Sequence, residues 1–250
     1  MKILCDVGNT FTKILLVSKQ VKYYIVETSK FIPFVKKFSS SELFVSTVVD
    51  EVKNKLNKLR QKFKKIKIIT CKDLSEFIKI NYNTKNLGSD RILSAFFCKE
   101  LFGGETLIIS CGSAIVLDYI NKKCEYVGGE IFPGVKMLTK VLYQTTSKLP
   151  LLKIKRISAS KLIGKDTKEC ISAGIVNFCL SGMKNFVNNL KPRTIVVTGG
   201  DADLFFKNLM CKKKYKISNL VVLGIALWGY YKHILSEDEI KKIFRYKEIF

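Results

Sequence analysis

Five short stretches hold the residues able to do chemistry, and each lies where a regular pattern breaks. CDVGNT (5–10), ISCGSA (109–114) and VVTGGDA (196–202) each run an apolar strand into a glycine turn. NLGSDRIL (86–93) sets Gly88, Asp90 and Arg91 where an irregular loop becomes a helix, and GGEIFPGVKML (128–138) does something similar with Gly129, Pro133 and Gly134. A glycine turn of this kind allows φ > 0 and lets backbone N–H groups approach phosphate oxygens. Asp6, ending the first strand, could hold a hydrated Mg²⁺ against such phosphates. In the fourth stretch, Asp90 is a carboxylate able to take a hydroxyl proton, and Arg91 is a fork able to grip an acid. Plain structural readings compete: an ordinary Gly-Asn hairpin, one more surface lysine at Lys13, and helix capping by Ser89 or Asp90 with Arg91 solvated. Arginine in a first helical turn opposes the helix dipole, which favours the chemical reading of the pair.

Positioning these stretches requires strands alternating with helices. Periodicity places strands at 2–7, 12–18, 21–27, 43–48 and 66–70, with helices near 50–64 and 90–102. The pattern then restarts: strand, small-residue turn and strand at 106–120, a third strand in KKCEYVGG, helices near 135–147 and 167–190, and a strand, double-glycine turn and helix start at 193–206. Setting CDVGNTFTKILL over ISCGSAIVLDYI puts Gly8 on Gly112, Asn9 on Ser113 and Thr10 on Ala114. This internal repeat predicts a duplicated α/β fold, residues 1–104 and 105–250, joined near Phe102 to Glu105.

Composition excludes other classes. With 47% hydrophobic and 26% charged residues over 250 positions, the chain is globular. The uncharged stretch from Ile217 to Tyr231 falls short of the ~20 apolar residues that span a bilayer. Asp6 interrupts the N-terminal apolar run, arguing against a secretory leader and for a cytoplasmic protein. Eight cysteines form no CxxC pair and read as small core residues. His233, the single histidine, reads as a helix-end surface group. A net charge of +23 invites a nucleic-acid reading, but only five of 44 basic residues are arginine. The densest run, 53–67, also carries Val52, Leu56, Leu59, Phe63 and Ile66 as a core-facing stripe, so its lysines read as a solvated face.

In order and spacing, DVGNT, GSDR, ISCGSA, GGEIFPG and TGGDA resemble the type III pantothenate kinases of the actin and sugar-kinase superfamily, from Met1 to about Trp228. The Walker A pattern GxxxxGK[ST] is absent. The resemblance implies two actin-like, ribonuclease H-like halves with ATP in a cleft between them, pantothenate phosphorylated to 4′-phosphopantothenate on the way to coenzyme A, and a homodimer. It gives ATP the stretch Asp6, Val7, Gly8, Asn9, Thr10, Phe11, Thr12 and Lys13 with Ser113 in the second loop, and gives the substrate Gly88, Ser89, Asp90, Arg91 and Thr167. Asp90 is then the proton acceptor, and Thr167 closes over pantothenate, usually from the neighbouring subunit. Mg²⁺ and a monovalent cation, K⁺ or NH₄⁺, are implied as cofactors. Ser110 stands where the family usually has the aspartate that binds that cation, so cation binding should weaken or move; Asp118, on the following strand, could compensate for it, but reads rather as a strand-end surface residue. Thr84 stands where the family has proline. Two other readings keep the fold: a kinase for another small alcohol, and a non-catalytic regulator using the basic surface on nucleic acid.

Overall fold

The computed structural model describes residues 1–154 and 162–246. They form two compact units, the first comprising Met1–Leu101, Cys124–Tyr126 and the chain from Asn219, the second Phe102–Lys123 and Val127–Ser218.

In the first unit β1 (Lys2–Val7), β2 (Phe11–Val17) and β3 (Val21–Glu27) form an antiparallel meander. Helix α1 (Thr28–Lys36) then carries the chain to β4 (Glu42–Thr47), which lies parallel to β1. After α2 (Asp50–Lys58), β5 (Lys65–Ile68) joins β4 in parallel, and α3 (Cys71–Leu74) and α4 (Ser89–Phe102) follow. Alternation along the strands sends Ile3, Cys5, Val7, Ile14, Leu16, Leu43 and Val45 to one face, where they meet Phe31 and Val35 of α1 and Val52 and Leu56 of α2. The expected stripe 52, 56, 59, 63 and 66 is buried throughout. The helix beneath it stops at Lys58, however, not at 64. A 3₁₀ turn, Arg60–Lys62, intervenes, and pairing with β4 claims the backbone from Lys65. On the solvated side Lys53 and Lys55 pair with Asp50 and Glu51.

The second unit repeats this plan. β6 (Thr106–Cys111) and β7 (Ala114–Ile120) form an antiparallel hairpin, β8 (Tyr126–Pro133) extends it, and α5 (Val135–Thr145) and α6 (Thr167–Leu190) precede β9 (Thr194–Thr198), which lies parallel to β6. Helix α7 (Ala202–Phe205) and β10 (Lys213–Lys216) complete it. The strand orders are β3-β2-β1-β4-β5 and β8-β7-β6-β9-β10, so each strand of the first sheet has a counterpart in the second. The repeat seen as a few aligned residues is a duplication of an entire ribonuclease H-like sheet. Helix α6 has the length and apolarity to cross a membrane, but Ile171, Val176, Leu180, Met183 and Val187 belong to the core of this unit.

Past Ser218 the chain returns to the first unit as α8 (Leu220–Tyr231) and α9 (Glu237–Arg245). Nine residues of α8 are buried, and Trp228 packs its ring 6.1 Å from that of Phe44 on β4. A helix apolar on nearly all sides must be enclosed, and α8 is. His233 is exposed just beyond it at φ +55°. All eight cysteines are free thiols.

Candidate active site

The β1–β2 turn sets the first group of side chains. Register places Asp6 opposite Lys13, and the Lys13 ammonium stands 3.9 Å from the Asp6 carboxylate. The turn is tied down from several directions. Gly8 N–H donates to the Phe11 carbonyl at 3.2 Å, and Thr28 donates its N–H to the Thr10 carbonyl at 3.0 Å and its hydroxyl to the Gly8 carbonyl at 2.7 Å. Thr47, ending β4, donates its hydroxyl to the Val7 carbonyl at 3.2 Å. Gly8 and Gly112 do not take the positive φ expected of them; the glycines that do are Gly103, Gly128 and Gly199. What Gly8 supplies is a backbone without a covering side chain. Asn9, Thr10 and Phe11 are exposed at the tip, whereas Val7 and Thr12 turn their side chains inward, Thr12 against the Thr28 hydroxyl at 3.2 Å.

Burial pushes the Asp6 carboxyl up to about 6; Lys13 pulls it back and the nearby Asp90 pushes it further up. Asp90 is the second residue of α4. Its carboxyl is also raised, chiefly by burial, although the N–H groups of Arg91 and Asp90 and the Arg91 charge favour the ionised form. Its Oδ1 is buried without a hydrogen-bond partner. Gly88 explains how that atom is accommodated, since a Cβ there would collide with Oδ1 and press on Val48. The helix start is anchored by a buried hydrogen bond of 3.0 Å between Ser89 and Ser46, whose strand position adjoins Asp6. Cys71 donates its thiol to the Leu87 carbonyl at 3.2 Å, and burial and Asp90 raise its pKa, so it tethers this loop as a neutral thiol. Arg91 lies over two rings, 5.6 Å from the centroid of Tyr82 and 5.8 Å from that of Tyr126. Sequence reasoning missed Thr28, Ser46, Cys71, Tyr82 and Tyr126, which support Asp6, Asp90 and Arg91 from five separate segments.

In the second unit three motif stretches meet. Gly134 donates its N–H to the Ser113 carbonyl at 3.2 Å, Asp201 donates its N–H to the Cys111 carbonyl at 3.1 Å, and Gly199, at φ +97°, lies where any Cβ would strike the Cys111 carbonyl. The turn at Gly112 and Ser113 is thus cradled by GGEIFPG and TGGDA. Ser110 sits on β6 between Val116 of β7 and Thr198 of β9. Asp118 is not the surface residue expected: it is 1% exposed and pairs with Ile108, two positions from the partner of Ser110. Thr167 opens α6, exposed and next to the helix cap Asp166.

A duplicated ribonuclease H-like sheet with a tied glycine turn in each copy defines a protein of the actin-like class. The type III pantothenate kinase family profile matches residues 2–189. The relatives named type III pantothenate kinase include one from Persephonella marina, 30% identical over 224 residues covering 86% of this chain and 84% of the relative. Another, from Thermosipho melanesiensis, is 28% identical over 255 residues, 94% of this chain and 100% of that one. This chain belongs to the type III pantothenate kinase family. Among solved structures, a conserved Campylobacter jejuni protein assigned to a Baf family of transcriptional activators is 21% identical with a TM-score of 0.68, covering 93% of this chain and 100% of that chain, which establishes the shared fold.

Two outcomes follow from this geometry. Replacing Gly88 with alanine should displace the Asp90 carboxylate and lower phosphoryl transfer by about a hundredfold, the cost of roughly an ångström of misplacement, with far-ultraviolet circular dichroism unchanged. Undiminished turnover would show that Asp90 does not depend on that space. For Asp6 the sign runs against function. Its folded pKa lies above its ordinary value of 3.8, so the native state binds the extra proton and ionised Asp6 destabilises the fold. That cost grows between about pH 4 and 6 and is complete above 6. Asp6→Asn should therefore raise stability at pH 7 by up to about 3 kcal/mol while reducing activity, and the gain should vanish by pH 4 in urea titrations. A variant less stable than wild type at pH 7 would contradict this.

Proposed function

We propose that this chain transfers the terminal phosphoryl group of ATP to the primary alcohol of pantothenate, yielding 4′-phosphopantothenate for coenzyme A synthesis. The observation that carries the reading is the pair at the start of α4: a buried carboxylate with an unpartnered oxygen, followed at once by a guanidinium on aromatic faces. A molecule with one hydroxyl to deprotonate and one carboxylate to grip is the substrate such a pair suits. Asp90 takes the hydroxyl proton. Arg91 holds the acid end. The Gly8–Thr10 turn, exposed at Asn9 and Thr10 and uncovered by a side chain at Gly8, lets phosphate oxygens approach the backbone, and Lys13 supplies positive charge to the group in transfer. Asp6 fits as the anchor for hydrated Mg²⁺, because its carboxylate is dehydrated and its contact with Lys13 is long. Mg²⁺ at such a site neutralises phosphate charge. The exposed apolar side chains Phe178 of α6 and Met137 and Val141 of α5 suit a second copy of the chain, as the homodimer requires.

Asp90→Asn should cut kcat by on the order of 10²- to 10⁴-fold in a coupled assay with pantothenate and a panel of other small alcohols. Wild-type turnover by the variant would remove Asp90 from its role; phosphorylation of a different alcohol in preference to pantothenate would remove the substrate.

The monovalent cation fits less well. Ser110 and its neighbour Thr198 offer hydroxyls, and no cluster of three histidine, cysteine or acidic side chains suited to a metal exists among the described residues. Hard cations favour anionic oxygens. Wild-type activity should therefore need unusually high K⁺ or be indifferent to it, and Ser110→Asp should create K⁺ activation when KCl is exchanged for NaCl at constant ionic strength. Tight, K⁺-selective activation of the wild type would overturn this.

A further inference from the structure

Arg91 stands at an unfavourable place for a cation, in the first turn of α4 where the helix presents its positive end. Two rings offset that. The guanidinium carbon is 5.6 Å from the Tyr82 centroid and 5.8 Å from that of Tyr126, and the rings meet edge to face at 5.9 Å and 73°. Electron-rich faces on two sides restrict where the guanidinium plane can lie. The arrangement is built by the backbone. Tyr126 is fully buried, donates its N–H to the Lys79 carbonyl at 2.9 Å, and accepts the Asn81 N–H at 2.8 Å. Ile80 and Tyr126 thereby form a parallel bridge, and Tyr82 follows two residues later. Residues 124–126 belong to the first unit although β8, which begins at Tyr126, continues in the second sheet, and Tyr126 is the residue of this segment that meets Arg91.

We propose that Tyr82 and Tyr126 are positioning residues that hold the Arg91 guanidinium ready for the carboxylate of the acceptor, an assignment that rests on the pantothenate phosphorylation proposed above. An arginine side chain without these walls has several rotatable bonds and a carboxylate, Asp90, as its immediate neighbour in sequence. Turning toward Asp90 would loosen the grip on the acid and spoil the proton acceptor together. The clamp keeps the two roles separate.

The test uses Tyr82→Leu, Tyr82→Phe, Tyr126→Leu and Tyr126→Phe in the full chain. Tyr82 is 44% exposed, so its leucine variant keeps the proposal open to refutation even if Tyr126→Leu fails to fold. Expected is a rise in the pantothenate KM of about three- to tenfold for Tyr82→Leu, with the ATP KM unchanged. The phenylalanine variants, which keep the ring faces, should restore the wild-type value, and turnover of pantothenyl alcohol, which lacks the carboxylate, should not respond. Equal rises in both KM values, or no rise for the acid, overturn the clamp while leaving the kinase assignment standing. A wild-type protein that does not phosphorylate pantothenate contradicts the kinase assignment, and the clamp falls with it.

Discussion

A carboxylate oxygen kept dry and without a partner is the constraint around which the first unit is arranged. An unsatisfied buried polar atom costs on the order of 1–3 kcal/mol, so Asp90 Oδ1 persists only because its surroundings leave it no alternative. Those surroundings are specific: no Cβ at Gly88, a serine pair fastening α4 to β4, and a thiol holding the Leu87 carbonyl. Parallel pairing of β1 with β4 sets Asp6 beside Ser46, which brings a second raised carboxyl into the same field. Two acids that would each be more comfortable neutral are held in one neighbourhood by the fold. Stability is given up at this site and recovered in the apolar packing of α1, α2 and α8 around the same sheet.

Duplication gives one frame with two different sets of polar residues. Each sheet begins with a hairpin whose turn abuts the parallel central strand, and only the polar residues hung on that frame differ. The first copy places Asp6 against Lys13; the second places the neutral Ser110 between Val116 and Thr198. In the second copy Gly134, Gly199 and Asp201 pack about residues 111–113 through backbone groups.

Elements with a two-residue alternation or a polar-apolar stripe were legible in the sequence: the meander of β1 to β3, the hairpin of β6 and β7, helix α4 and the apolar stripe of 52–66. Others gave no readable period. Helix α8 is apolar on nearly every side, and α1 carries Pro33 within it. Helix α9 is marked in the sequence by the reciprocal cap of Ser236 and Glu239, a short-range signal. The chemical residues Asp6, Lys13, Asp90 and Arg91 were nameable because glycine breaks and charge mark them locally. Their supports were not, because Ser46, Cys71, Tyr82 and Tyr126 gain meaning only through pairings of β4 with β1 and of Ile80 with Tyr126 that are distant in sequence. Asp118 shows the converse, a charge that looked like a strand-end surface group and is buried.

The central claim is that Asp6 and Asp90 are held in the free protein as coupled carboxyls of raised pKa. Carbon-13 NMR titration of aspartate-labelled protein measures this without substrate. Asp6, at about 6, and Asp90 should titrate above the ordinary aspartate range, as should the partly buried Asp201; in Asp90→Asn the Asp90 resonance should be lost and the Asp6 midpoint lowered as the neighbouring charge is removed. If every aspartate titrates at or below about 4, or if the Asp6 midpoint does not move in Asp90→Asn, the two carboxyls are not a coupled buried pair and the account is wrong.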